Sequence, residues 1–161
     1  MKNMRLAKII LLLILAVQSF MFGIPNSFNL PFQEVTAVLG MKSVTALMPS
    51  LAWRATDNPV MIYGGVFFIV GIELLMGFLY SFGAYRMWQA RALDKASFNA
   101  AKRYGLWGCL CGLILFYACF QVLAGNWFGV SWLQNSLMLS VFRYSATTAL
   151  IMLFVAETNQ D

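Results

Sequence analysis

Four long apolar runs constrain this chain more than any other feature. They extend from about Leu6 to Ile24, Pro59 to Tyr85, Tyr104 to Ala124 and Leu137 to Ala156. Each is close to the roughly 20 residues that an α-helix needs to cross a hydrocarbon layer. They are continuous and rich in leucine and isoleucine, without the short alternating pattern of barrel strands, so helices are expected. Of 161 residues, 61% are apolar and 11% charged, against about 25% charged in a soluble domain. A soluble core of this size could not hide that much hydrocarbon, so the solvent is read as lipid. The expectation is an all-α membrane protein: a four-transmembrane-helix bundle forming a single membrane domain over residues 1–161.

The first run begins like a signal peptide, with "MKNMRLAK" ahead of "IILLLILAV". The apolar stretch then continues through "QSFMFGI" with no small-residue cleavage site, and it is read as an uncleaved span. Basic residues set the orientation. The N-terminus carries Lys2, Arg5 and Lys8, and Arg86, Arg91, Lys95, Lys102 and Arg103 lie between spans two and three; only Lys42 and Arg54 lie in loops on the other side. Both termini are therefore expected in the cytoplasm. The net charge of +5 comes from these scattered topology signals and forms no single patch, which argues against nucleic acid as a partner. The expected partners are the lipid bilayer and a protein partner or second copy.

The loops carry helix signals. In "PFQEVTAVLG", Pro31 stands near a helix start and Glu34 in its first turn, where the helix dipole favours negative charge. Phe32, Val35 and Val38/Leu39 share a face and Gly40 can end the helix. A short amphipathic helix in the first outer loop is expected. "DNP" reads as a helix start with Asn58 as cap and Pro59 at the first helical position. The basic loop is expected to prolong the second helix and to turn near Ser97.

Chemistry-bearing residues are few. There is no histidine, which removes His-ligated metal and His-based acid–base catalysis. Three cysteines, Cys109, Cys111 and Cys119, sit in one apolar run and read as buried thiols acting as small hydrophobes. No metal site, cofactor or catalytic residue is expected. Gly105, Gly108 and Gly112 share one helix face, with "GCLCG" a GxxxG match and Cys119 close to the same face, and read as a helix-packing surface.

Two charges interrupt the apolar runs: Glu73 in "GIELLMGFLY" and Arg143 in "SVFRYSATTAL". Glu73 lies 13 residues from Arg86 and Arg143 lies 14 from Glu157, which is roughly 20 Å along each helix. Equal depth on parallel spans leads to an expected Glu73–Arg143 ion pair, direct or bridged by water, with Gln18, Tyr117 and Gln121 able to complete a polar layer. Pairing would offset the roughly 2.5–3.5 kcal/mol that a lipid-facing charge costs. On that reading Glu73→Gln alone harms the fold more than replacement of both residues. A structural clamp is favoured over a proton relay, because arginine does not release its proton.

The stretches "RLAKIILL", "WRAT", "GIELLMG", "FNAAKR", "GNWF" and "VFRYSATTALI" follow one another in the order and spacing of a bacterial family. The chain resembles the predicted small integral membrane proteins, a domain of unknown function. It departs from the family pattern at Met41-Lys42, where that pattern favours an acidic residue after the methionine. The resemblance implies a four-helix protein of the bacterial inner membrane and supplies no activity. Two functions remain from different classes: a non-enzymatic accessory or interaction protein, and a small-solute or ion transporter component that uses the Glu73/Arg143 layer.

Overall fold

The computed structural model describes residues 2–133 and 135–158. Its long helices are α1 (Lys2–Phe28), α4 (Pro59–Ala90), α6 (Arg103–Leu113) continuing as a π-helical segment (Ile114–Trp127), and α8 (Asn135–Ala156). Short helices join them: α2 (Phe32–Gly40), α3 (Lys42–Leu47), a 3-10 turn (Pro49–Arg54), α5 (Lys95–Ala101) and α7 (Val130–Leu133). No strand occurs among the described residues. Four stretches are long and apolar enough to cross a membrane: Asn3–Phe28, Pro59–Ala90, Lys95–Trp127 and Ser136–Ala156. The fold is thus the all-α bundle that the apolar runs imply, with the amphipathic helix of the first loop present as α2.

Local signals explain the helix ends. Asn58 caps α4, its side chain accepting the Val60 N–H at 2.9 Å, with Pro59 in the first turn. Asp94 caps α5 by accepting from Ser97 N at 3.1 Å and from the Ser97 hydroxyl. The chain therefore turns at residues 91–94, ahead of Ser97. Met41 joins α2 to α3 in the left-handed region at φ 48°, a conformation most side chains avoid. Its side chain is buried, and that packing holds the turn in place.

The first helix runs further than its sequence suggests. Pro25 lies inside α1, and the helix continues to Phe28. Proline leaves one carbonyl without its helical donor, a cost that neighbouring groups in a bundle can absorb. The next turn is held by Asn29 N donating to Pro25 O at 2.9 Å and by the Ser27 hydroxyl donating to Gly23 O. This extra turn carries Asn26 back over the bundle.

Two seams of small residues draw the helices together. Gly83 of α4 meets the backbone of Gly105 of α6, and a Cβ on Gly83 would lie only 2.4 Å from Gly105 N. Gly108 and Gly112 lie against Tyr80, where added Cβ atoms would stand 2.8 Å from the ring and 3.0 Å from its oxygen. Gly77 receives the Phe20 ring of α1 in the same way. In lipid, where burying hydrocarbon gives no drive, such close backbone approach supplies the packing energy. Leu12, Met76, Tyr80, Met87 and Leu115 fill the core between the seams.

Candidate functional site

The two ends of the bundle differ. At the end holding both termini, here the basic end, three cations are buried: Lys8 at 0%, Lys102 at 2% and Arg5 at 7% exposure. Lys8 and Lys102 both donate to the Glu157 carbonyl, Lys102 at 2.8 Å, just past the C-terminus of α8. Arg5 donates to the carbonyls of Arg91 and Leu93 at 3.1 and 2.7 Å, where α4 ends. Cations at helix C-termini complement both the unsatisfied carbonyls and the dipole. Phe98 is fully buried between Arg5, 4.7 Å from its ring centre, and Lys102 at 5.6 Å. These cations therefore knit α1, the α4–α5 turn and the end of α8 together.

The opposite end, capped by α2 and α3, holds a cavity of about 500 Å³, within the range of small-molecule sites. Its walls come from α2, α4, the π-helical segment and α8, and are mostly hydrocarbon, including Val35, Ile69, Phe120 and Val141. The polar side chains on its wall are Asn26, Glu34 and Glu73. No lysine or arginine lines it. Glu73 is 4% exposed, and its Oε2 accepts from Asn26 Nδ2 at 2.8 Å. A carboxylate offers about four acceptor positions, so one amide donor leaves it able to accept from another group. Glu34, on α2, is exposed at the rim.

The π-helical segment forms the third wall. Its wider hydrogen-bond spacing is visible at its end, where Phe128 N donates to Leu123 O at 2.9 Å. π-helical turns within α-helices are frequently found at functional sites. The wider turn also changes which residues share a face. Cys119, expected beside the glycine face, instead lines the cavity, while Cys109 is buried in the core.

The expected Glu73–Arg143 ion pair is not formed. Matching depth does not make neighbours: α4 packs on α1 and α6, whereas α8 packs on α6, the π-helical segment and α1. Val141 of α8 faces the cavity, and Arg143 lies two residues on, roughly 200° around the helix. Arg143 is exposed, and no hydrogen bond or ion pair reaches it among the described residues. The polar layer is also dispersed. Tyr117 is exposed; Gln18 and Gln121 are half-buried, with Gln121 Oε1 lacking a hydrogen-bond partner; none of the three bonds to Glu73. Gly105, Gly108 and Gly112 are buried on the face turned to α4. Asn26, the partner Glu73 does have, escaped notice because Pro25 reads as the end of span one. Lys8 gave a signal that could have been used: it stands next to the apolar run, inside "RLAKIILL". Among the described residues no three His, Cys, Asp or Glu side chains group as metal ligands.

A bundle of four apolar helices of this length, closed by buried cations at one end and hollow at the other, is an integral membrane protein. A family model described as predicted small integral membrane protein (DUF2165) matches residues 4–158, and the chain belongs to that family. Comparison with curated proteins and with solved structures finds no match.

Proposed function

We propose that this is a non-enzymatic membrane protein that holds a small amphipathic cation in the cavity at its capped end, as an accessory or interaction protein does. The observation that carries the reading is Glu73: a carboxylate on an otherwise apolar wall, oriented by Asn26, with no basic side chain in the lining. Desolvated charge is costly unless paired, so such a wall favours a ligand bringing positive charge on a hydrocarbon body. The facing groups are a carboxylate, an amide and apolar side chains, a set suited to holding. Beyond Glu73 towards the basic end, Met76, Tyr80, Leu12 and Met87 are buried, which supports reading the cavity as a pocket. Arg143 is not among the residues that line it, which favours the holding reading over a transporter that uses Glu73 and Arg143 together.

The excess of basic residues at the terminal end supports placing both termini in the cytoplasm of a bacterial inner membrane. The cavity then opens in the outer half of the bilayer. The test compares two isosteric hydrophobic ions, tetraphenylphosphonium and tetraphenylborate, by equilibrium dialysis against protein in detergent micelles and against empty micelles. The protein should retain the cation and not the anion, and Glu73→Gln should weaken retention at least ten-fold. Equal retention of both ions, or retention unchanged by Glu73→Gln, overturns the reading.

A further inference from the structure

Arg143 belongs to a pattern. Ser136, Ser140, Arg143 and Thr147 are spaced four, three and four residues apart and so share one face of α8. Ser136, Arg143 and Thr147 are exposed and Ser140 is half-buried; Leu139 and Leu150 flank them, also exposed. The face is turned away from the cavity, which Val141 and Met138 line. A polar stripe centred on arginine, on the open side of a membrane-spanning helix, is costly against lipid chains and favourable against another helix.

We propose that this face of α8 docks a membrane-spanning helix of a different protein, one that carries a carboxylate at the depth of Arg143. Charge complementarity selects the acid. Among the described residues a second copy of this chain offers no such acid. Of the acids in the described residues, Glu73 is buried in the bundle, while Glu34, Asp57, Asp94 and Glu157 lie at its ends. A lipid headgroup fits less well, because the stripe continues beyond Arg143 away from the headgroups. Arg143 is 8 residues from Asn135 and Thr147 is 12, which is about 12 and 18 Å along the helix. A partner helix covers the whole stripe; a headgroup reaches only its upper part. The proposal stands apart from the cavity, since the two lie on different sides of α8.

The test uses synthetic leucine–alanine membrane-spanning peptides that differ at one central position, Glu or Gln, placed at the depth of Arg143. Energy transfer from labelled protein to labelled peptide is measured in vesicles of zwitterionic lipid. The Glu peptide should associate at least ten-fold more strongly than the Gln peptide, and Arg143→Met should abolish the difference. Arg143→Lys keeps the charge and should restore part of it. Equal association of the two peptides overturns the proposal. So does a Glu preference that survives Arg143→Met, or a preference that disappears in protein folded as well as the parent once anionic lipid is added, which would assign the face to headgroups. Energy transfer between two copies of the protein that depends on Arg143 would assign it to self-association and also overturn it.

Discussion

The two ends of this bundle handle buried charge in opposite ways. At the basic end Arg5, Lys8 and Lys102 meet carbonyl oxygens at helix C-termini and the ring of Phe98, and the space around them is filled. At the capped end Glu73 has one amide donor and an open cavity beside it. Charges that close helix ends are architecture. A charge left with spare hydrogen-bonding capacity beside an apolar hollow is suited to a guest. The comparison predicts that changes near the closed end cost stability, while changes at the open end cost binding.

The largest effect should come from the seam that underlies the closed end. A side chain on Gly83 has no space, because its Cβ would lie 2.4 Å from Gly105 N. Gly83→Val should cost about 3 kcal/mol or more, seen as loss of the monodisperse folded species in detergent. Survival of a normally folded Gly83→Val protein would show that α4 and α6 do not pack this way.

Next comes the clamp on α8. Lys102→Met keeps the aliphatic stem and removes the ammonium from the Glu157 carbonyl. It should cost about 1.5–3 kcal/mol, as hydrogen bonds to charged groups do, measured as a lowered unfolding midpoint. An unchanged midpoint would mean that this end is held by apolar packing alone.

Glu73→Gln sharpens the contrast. Glutamine can still accept from Asn26, so stability should change by about 1 kcal/mol or less, while retention of the phosphonium falls. A loss of stability comparable to that of Lys102→Met would make Glu73 a clamp like those of the basic end. The smallest effect lies in the α4–α5 turn. Hydrogen bonds from the Ser97 hydroxyl and backbone N–H hold the Asp94 carboxyl below its ordinary value. A depressed carboxyl contributes above its unfolded value, near pH 4, and the contribution is lost as pH falls through the folded value. Exchange of the Ser97 amide should therefore speed up below about pH 4 relative to its neighbours, and Asp94→Ala should remove that step.

How far the sequence could be read follows from the physics of each feature. Span length, the α2 helix and the Asn58–Pro59 start depend on local composition, and local composition is visible. Distance along a helix follows from residue count and is equally visible in the sequence. What could not be read was azimuth. Whether two helices touch depends on the packing order of all four, and α1 and the third span separate α4 from α8. The π-helical segment adds a second obstacle, because it rotates Cys119 off the face that regular α-helical spacing assigns to it. Asn26 was hidden by Pro25, whose usual meaning is a helix end, and which here sits inside a helix supported by its neighbours.

The measurement that most directly tests the account uses Cys119, which the cavity wall supplies as a native probe. With Cys109 and Cys111 replaced by alanine, Cys119 is the only thiol. Its modification rates by a cationic and an anionic methanethiosulfonate of equal size are compared in intact membranes. The cationic reagent should react at least ten-fold faster, and the ratio should collapse towards one in Glu73→Gln. A thiol that resists both reagents, or reacts equally with both whatever stands at position 73, would contradict an open cavity governed by the Glu73 carboxylate.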